Sequence, residues 1–305
     1  MPELPEVETI ARGLARRVSG DVIESVWLGS KPEPLKSPAA EIVAALESRR
    51  IAGVRRVGKH IVFDLEICDV ARALPPAQAG PGKAKPKPGR NSRRSSSSEP
   101  SAGGSARPTS QWIVHLGMTG RMLVCPAGTE VEKHAHAIAR LASGRELRFV
   151  DPRRFGRLSV ARGFQASGSE PLEVDLERFV ELFRGRKTPI KSALLNQKLL
   201  SGVGNIYADE SLFRAGVRPR RRAASLSRDE LHRLYRAVQK VLKEAIAAGG
   251  SSVSDYVDAN GDEGFFQLEH RVYGREGEAC LVCKTPIKRV VIAGRSSHYC
   301  PHCQK

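Results

Sequence analysis

The chain has 305 residues, 40% of them hydrophobic, and 50 Lys and Arg against 33 Asp and Glu give a formal charge of +17. This length suits about two domains, and the apolar share excludes wholesale disorder. The charge points to a polyanionic partner, nucleic acid before an anionic membrane surface, and no apolar run approaches the ~18 residues of a membrane-spanning helix.

The opening MPELPEVE, with two prolines and three acids, fits neither a signal peptide nor a basic transit sequence. Pro5 suits a first helical turn, and Val7, Ile10, Leu14 and Val18 recur at helical spacing, which predicts a first helix. Ile61–Leu65, Gln111–Leu116, Glu146–Val150 and Arg157–Val160 read as short strands between Gly, Pro and Ser turns, the pattern of a sandwich or barrel. Residues 71–110 interrupt them. Of these 40 residues 20 are Pro, Gly or Ser, Leu74 is the one large aliphatic, and the net charge is +7, leaving +10 on the other 265. Such a segment cannot bury enough surface to offset chain entropy and reads as a disordered basic insertion. It has no apolar face to enter a membrane.

From about residue 171 the pattern turns helical. Asp175 can cap a segment carrying Leu176, Phe179, Leu182 and Phe183, and Thr188-Pro189 can cap and start a second. Gly202-Val203-Gly204-Asn205 makes a sharp turn into Ile206–Ala215, which Gly216 can end. Ser227 to Glu230 is a capping box that opens a long helix ending at Gly249-Gly250. Ser251–Phe266, rich in Gly, Ser, Asn and Asp, reads as a mobile loop.

Of the six cysteines, Cys68 and Cys125 are isolated, and four form two C-x-x-C pairs in the last 26 residues. Cys280, Cys283, Cys300 and Cys303 suit one tetrahedral, structural zinc with a hairpin between the pairs, an iron centre being the alternative. His298 and His302 could each replace a cysteine and are read as ordinary surface residues. Lys284, Lys288, Arg289 and Arg295 between the pairs suit phosphate. At the other end, removal of Met1 would expose Pro2 as a free secondary amine. With a pKa of about 8, such an amine is a competent Schiff-base nucleophile, and Glu3 beside it could move protons. Taken alone, the same residues also make an acidic first helical turn that complements the helix dipole.

MPELPEVET at the N-terminus, GKH at Gly58–His60, HLGMTG at His115–Gly120, DPRRFG at Asp151–Gly156, GVGNIYADE at Gly202–Glu210 and the four-cysteine finger occur in this order. As an ordered set they resemble formamidopyrimidine-DNA glycosylase, over nearly the whole chain outside 71–110. The resemblance implies an α+β multidomain protein. Its parts are an N-terminal catalytic β-sandwich domain flanked by helices (1–165), a helix–two-turns–helix DNA-binding domain (171–260) and a zinc finger (268–305), with DNA in a basic cleft. It implies a bifunctional base-excision enzyme that removes oxidised purines (8-oxoguanine, formamidopyrimidines) from double-stranded DNA and cleaves abasic sites by β,δ-elimination. The expected setting is the bacterial cytoplasm and nucleoid, acting as a monomer.

By the same resemblance Pro2 is the nucleophile, Glu3 the proton donor, Lys59 the residue of β-elimination and Arg295 that of δ-elimination. Arginine hardly deprotonates, so Arg295 suits holding the 5′ phosphate better than acid–base work. Met118, Arg153 and Phe155 match intercalating residues: Met and Phe wedge a base step, and Arg bonds the orphaned base. His134, Arg153, Arg186, Lys191 and Asn205 match DNA contacts, with Asn205 also placed to cap its helix. Lys133-His134-Ala135-His136 departs from the usual Lys-His-Asp-His, which puts that loop's geometry in question. Two competing functions are an endonuclease VIII-like enzyme for oxidised pyrimidines and a non-catalytic zinc-finger DNA-binding protein. Leu4 and Phe155 disfavour the first, and Pro2, Glu3 and Lys59 together disfavour the second.

Overall fold

Helix α1 (Leu4–Val18) has Pro5 in its first turn and buries Val7, Ile10, Leu14 and Val18 along one face, as their spacing predicts. The structure, a computed structural model, describes residues 1–68, 110–252 and 264–305. The expected insertion therefore lies outside the described residues except for Ser110, and so do 253–263 of the expected loop.

Eight strands follow α1: β1 (Val22–Leu28), β2 (Arg49–Val57), β3 (His60–Ile67), β4 (Ser110–His115), β5 (Arg121–Pro126), β6 (Ala135–Leu141), β7 (Arg145–Val150) and β8 (Arg157–Ala161). They pair antiparallel in the order β5-β7-β6-β1-β2-β3-β4-β8. Bulges between Ile23 and Ser25, Ile51 and Gly53, and Ala135 and Ala137 allow the ladder to bend. Its two ends share one core: Met122, Leu147 and Phe149 lie in the same buried cluster as Phe63, Trp112 and Leu158. Helix α2 (Ala39–Leu46), with no expectation from sequence, adds Ile42 and Leu46 to that cluster. Leu65 of β3 faces Ser110 of β4, so the chain leaves and re-enters at adjacent points of one antiparallel pair.

The helical body comprises α3 (Leu176–Phe183), α4 (Ile190–Leu194), α5 (Asn205–Ala215) and α6 (Arg228–Ala247). Asp175 caps α3, its Oδ1 accepting from Arg178 N at 2.8 Å, and Ser227 with Glu230 forms the expected box on α6. Gly216, at φ 72°, closes α5. Thr188 makes no cap to α4, whose N-cap position Pro189 occupies. A second core gathers Phe179, Phe183, Leu194, Tyr207, Leu212, Leu234 and Val241, and it also takes in Leu4 from the start of the chain. The finger hairpin, β9 (Lys288–Ile292) and β10 (Arg295–Tyr299), stands on a small cluster of Phe213, Val272, Cys280, Ile287 and Cys300.

Candidate active site

The N-terminus is pinned across the helical body. Leu4 N donates to Gly202 O at 3.0 Å, and Glu3 Oε1 accepts from Ile206 N at 3.1 Å. Asn205 therefore does not cap its helix: it is the first helical residue, Gly204 is the N-cap, and the carboxylate of Glu3 serves the free N–H groups. Two glycines make room for this. Gly202 sits at φ 103°, and a Cβ there would come within 2.9 Å of Leu4. A Cβ on Gly204 would lie 2.1 Å from Glu3 Cδ. The tip of the β2–β3 hairpin closes the other side: Gly58, at φ 59°, would drive a Cβ to 2.2 Å from Ser201 Oγ. That contact presents Lys59.

Burial sets the electrostatics. Glu3 is pushed up to about 7 by loss of solvent, against the pull of the Lys59 charge and the N–H groups of Ile206 and Tyr207. Glu3 Oε2 is buried with no hydrogen-bond partner among the described residues. Lys59, 8% exposed, is lowered by burial, with Glu3 and Glu6 opposing and Arg295 reinforcing the shift. The charges of Glu3 and Arg295 both act on Lys59, so the structure brings these three together, with half-buried Pro2 next to Glu3 in the chain and Arg295 exposed. Glu6 was not singled out from sequence. It is buried, accepts from Glu3 N at 2.7 Å and Ser251 N at 2.8 Å, and accepts a hydrogen bond from the Tyr207 hydroxyl. Burial raises its pKa too.

Lys191 does not reach the surface, contrary to its expected phosphate contact. It is 1% exposed, its ammonium lies 2.7 Å from Asp209 Oδ1, and it donates to Ser296 O at 2.5 Å. A buried ammonium must be paired, and this one ties α4, α5 and β10 together. His298 is likewise buried rather than superficial: its N–H donates to Asp209 Oδ2 at 2.9 Å, and its ring Nδ1 lies 3.4 Å from the same oxygen. His302 is exposed as expected. Asn205 Nδ2 donates to Ser296 Oγ at 3.3 Å, while its Oδ1 has no partner among the described residues. Glu210, also unforeseen, receives the N–H groups of Arg271, Val272 and Tyr273 at 3.0, 2.9 and 2.9 Å.

Met118 and Phe155 are exposed at 43% and 50%, so Phe155 is no core aromatic. Their loops are locked together: a Cβ on Gly117 would sit 2.5 Å from the Phe155 carbonyl carbon. Buried Asp151 organises both, accepting from Thr119 Oγ1 at 2.5 Å, Gly156 N at 2.7 Å and Arg153 N at 3.2 Å. The Arg153 guanidinium lies 4.8 Å from the Phe155 ring centroid. His134 and Arg186 are exposed, with Arg186 Nε donating to Leu182 O at 2.5 Å. Ala135 does not leave its neighbour loose, because His136 Nε2 lies 2.9 Å from Asp151 O.

In the finger, the sulfurs of Cys280, Cys283, Cys300 and Cys303 lie within 4.8 Å of one another, with Cys283–Cys300 at 3.4 Å and Cys280–Cys303 at 3.9 Å. A tetrahedral zinc with Zn–S near ~2.3 Å needs sulfurs about 3.8 Å apart, so the set fits one structural zinc with no position left for water. No described helix is long and apolar enough to cross a membrane.

Three family matches cover the chain in order. Residues 1–158 match the formamidopyrimidine-DNA glycosylase N-terminal domain, 168–257 its H2TH domain, and 277–305 the zinc finger found in FPG and IleRS. Among curated relatives, the formamidopyrimidine-DNA glycosylase of Solibacter usitatus is 41% identical, with 100% of both chains covered. That of Nocardia farcinica is 38% identical, over 100% of this chain and 98% of the relative. Among solved structures, the MutM (Fpg) protein of Thermus thermophilus is 37% identical with a TM-score of 0.77, covering 99% of this chain and 98% of that one. A mutant of the Lactococcus lactis FPG, solved in complex with a Fapy-dG containing DNA, is 30% identical with a TM-score of 0.80 over 100% of both chains. With its N-terminal, helical and finger segments all matched in sequence order, the chain belongs to the formamidopyrimidine-DNA glycosylase family.

Proposed function

We propose that this chain removes oxidised purines, 8-oxoguanine and formamidopyrimidines, from duplex DNA and then cuts the strand at the abasic site. The observation that carries the reading is Glu3: a buried carboxyl pushed up to about 7, at the chain's N-terminal tip, beside Pro2 and within the field of Lys59. At neutral pH roughly half of such a group holds a proton it can give. Family membership and the Fapy-dG complex of the Lactococcus lactis relative supply the substrate class.

Chemistry at Pro2 requires that Met1 be removed. The neutral Pro2 nitrogen bonds to C1′ as the bond from C1′ to the base breaks, and Glu3 supplies the proton the departing base needs. The C1′–O4′ bond then breaks, O4′ takes up the proton that the Pro2 nitrogen gives up, and the iminium so formed acidifies the C2′ protons. Lys59, its pKa lowered by burial, takes one of them, and the C3′–O3′ bond breaks to free a 5′-phosphate end. A second elimination breaks C5′–O5′ and leaves a 3′-phosphate. Arg295, exposed at the start of β10, neutralises phosphate there. Met118, Arg153 and Phe155 fill the space of the everted base, while His134, Arg186 and Asn205 contact the backbone. Lys191 serves from within by fixing Ser296 next to Arg295.

Every residue in this scheme lies in one chain, which supports action as a monomer, in the cytoplasm where nucleoid DNA is found. The proposed domain limits, 1–165, 171–260 and 268–305, are supported by three buried clusters, with Leu4 and Phe266 joining the helical cluster and Phe213 joining that of the finger. The test is incubation with a duplex carrying one 8-oxoguanine. Release of the free base with phosphates on both new ends is expected; an intact strand after complete base release would contradict the lyase steps.

A further inference from the structure

Helix α6 carries a second basic surface away from the catalytic residues. Arg233, Arg236 and Lys240 lie at helical spacing on one stripe, with the small Ala237 among them. This stripe faces the last turn of α5, Arg271, and Val282 on the zinc-binding knuckle, and together they enclose a groove of about 570 Å³. Arg214 also lines it, and no acid does. Glu244 pairs with Arg214 and lies 3.9 Å from Lys240, but Arg236 and Arg271 make no ion pair among the described residues. The floor is apolar, built from Phe213, Ala215 and Ala237, and Val282 on the wall is 64% exposed.

We propose that this groove docks an acidic peptide segment bearing an apolar side chain, presented by a partner protein. Charge selects an anionic ligand, since arginine forks bind carboxylates in strong, directed pairs. The apolar floor favours a peptide over a paired duplex, whose bases are stacked inside and whose outer face offers phosphates. Size agrees: the volume suits a few side chains, not a duplex. Position agrees as well. Helix α5, with 11 residues and about 16 Å long, has Glu3 at its first turn and the groove at its last, so the groove stands apart from the catalytic carboxyl. The chain's own 71–110 segment carries a net charge of +7 and so lacks the acidic character this surface selects.

The test is fluorescence anisotropy of the zinc-loaded, full-length protein with the labelled peptide Asp-Asp-Glu-Asp-Asp-Leu-Phe. Saturable binding is expected. R233E/R236E should weaken it by roughly tenfold or more, since two attractive contacts become repulsive. Val282→Ser should weaken this peptide but not an all-acidic version. Borohydride trapping on an abasic duplex should be unchanged in both variants. Absence of saturable binding, or equal affinity in R233E/R236E, would overturn the proposal. So would displacement of the peptide by undamaged duplex together with lost duplex affinity in R233E/R236E, which would make the groove a nucleic-acid surface.

Discussion

Gly204→Ala tests whether the turn before α5 is the seat of the catalytic carboxyl. The backbone there is extended, φ −127° and ψ −160°, so alanine meets no conformational penalty. The added Cβ would instead fall 2.1 Å from Glu3 Cδ and 2.4 Å from Glu3 Oε1. The carboxyl must withdraw by more than about 1 Å to restore van der Waals contact, and its bond to Ile206 N goes with it. An orphaned N–H in a buried setting costs about 1–3 kcal/mol, so thermal stability should fall modestly. A misplacement of this size costs about 10²-fold in rate. Single-turnover excision of 8-oxoguanine should therefore drop by about two orders of magnitude. Cleavage of a preformed abasic duplex, which has no base to protonate, should drop far less. Glu3→Gln is the companion: it keeps the volume and an acceptor but has no proton to donate, so it should match the parent in stability and lose base release. Excision by Gly204→Ala within about threefold of the parent would refute the claim that this turn positions Glu3.

Base release should pass through a maximum between about pH 7 and 8, because it needs Glu3 protonated and the Pro2 amine neutral, and Glu3→Gln should lack the alkaline limb; a rate that climbs steadily to pH 9 would contradict the assignment. Zinc chelation or Cys300→Ser should unfold the finger and free Ser296 from Lys191, lowering DNA affinity strongly. Both tryptophans, Trp27 and Trp112, lie in the N-terminal sheet, so their fluorescence should hold while affinity falls. Phe155→Ala should slow excision of a paired lesion on the order of tenfold or more and spare abasic-site cleavage, since only the former requires eversion. Equal losses on both substrates would point to a folding role for the ring.

Features written in local spacing were readable from the chain. The four cysteines, the Ser227 box, the Asp175 cap and the buried stripe of α1 depend on residues close in sequence, and each appears in the structure as its spacing predicts. Strands β1, β2, β5 and β6 were missed because their periodicity is broken or diluted: β2 reads Arg49-Arg50-Ile51-Ala52-Gly53-Val54-Arg55-Arg56-Val57, with four arginines and a bulge at Gly53. Contacts across long separations were not legible. Nothing near Glu3 says that it serves a helix 203 positions away, and nothing near Lys191 says that Asp209 will draw it inside. His298 was misread for the same reason, its partner being Asp209. Asp209 and Glu210 lie in a recognised motif, but their burial follows from packing against the finger and the turn after His270, which no local pattern encodes.

The structure also sharpens the central question, because it offers a rival to Pro2. Lys59 is 8% exposed, its pKa is lowered, and it lies beside the same carboxyl, so it too could form a Schiff base. Borohydride reduction of the complex with an 8-oxoguanine duplex, followed by protease digestion and mass mapping of the crosslinked peptide, separates the two. The adduct must fall on the peptide that begins Pro2-Glu3-Leu4, with Met1 absent, and Lys59→Ala must still trap, more slowly. A crosslink on Lys59, or on a chain that retains Met1, would contradict the mechanism.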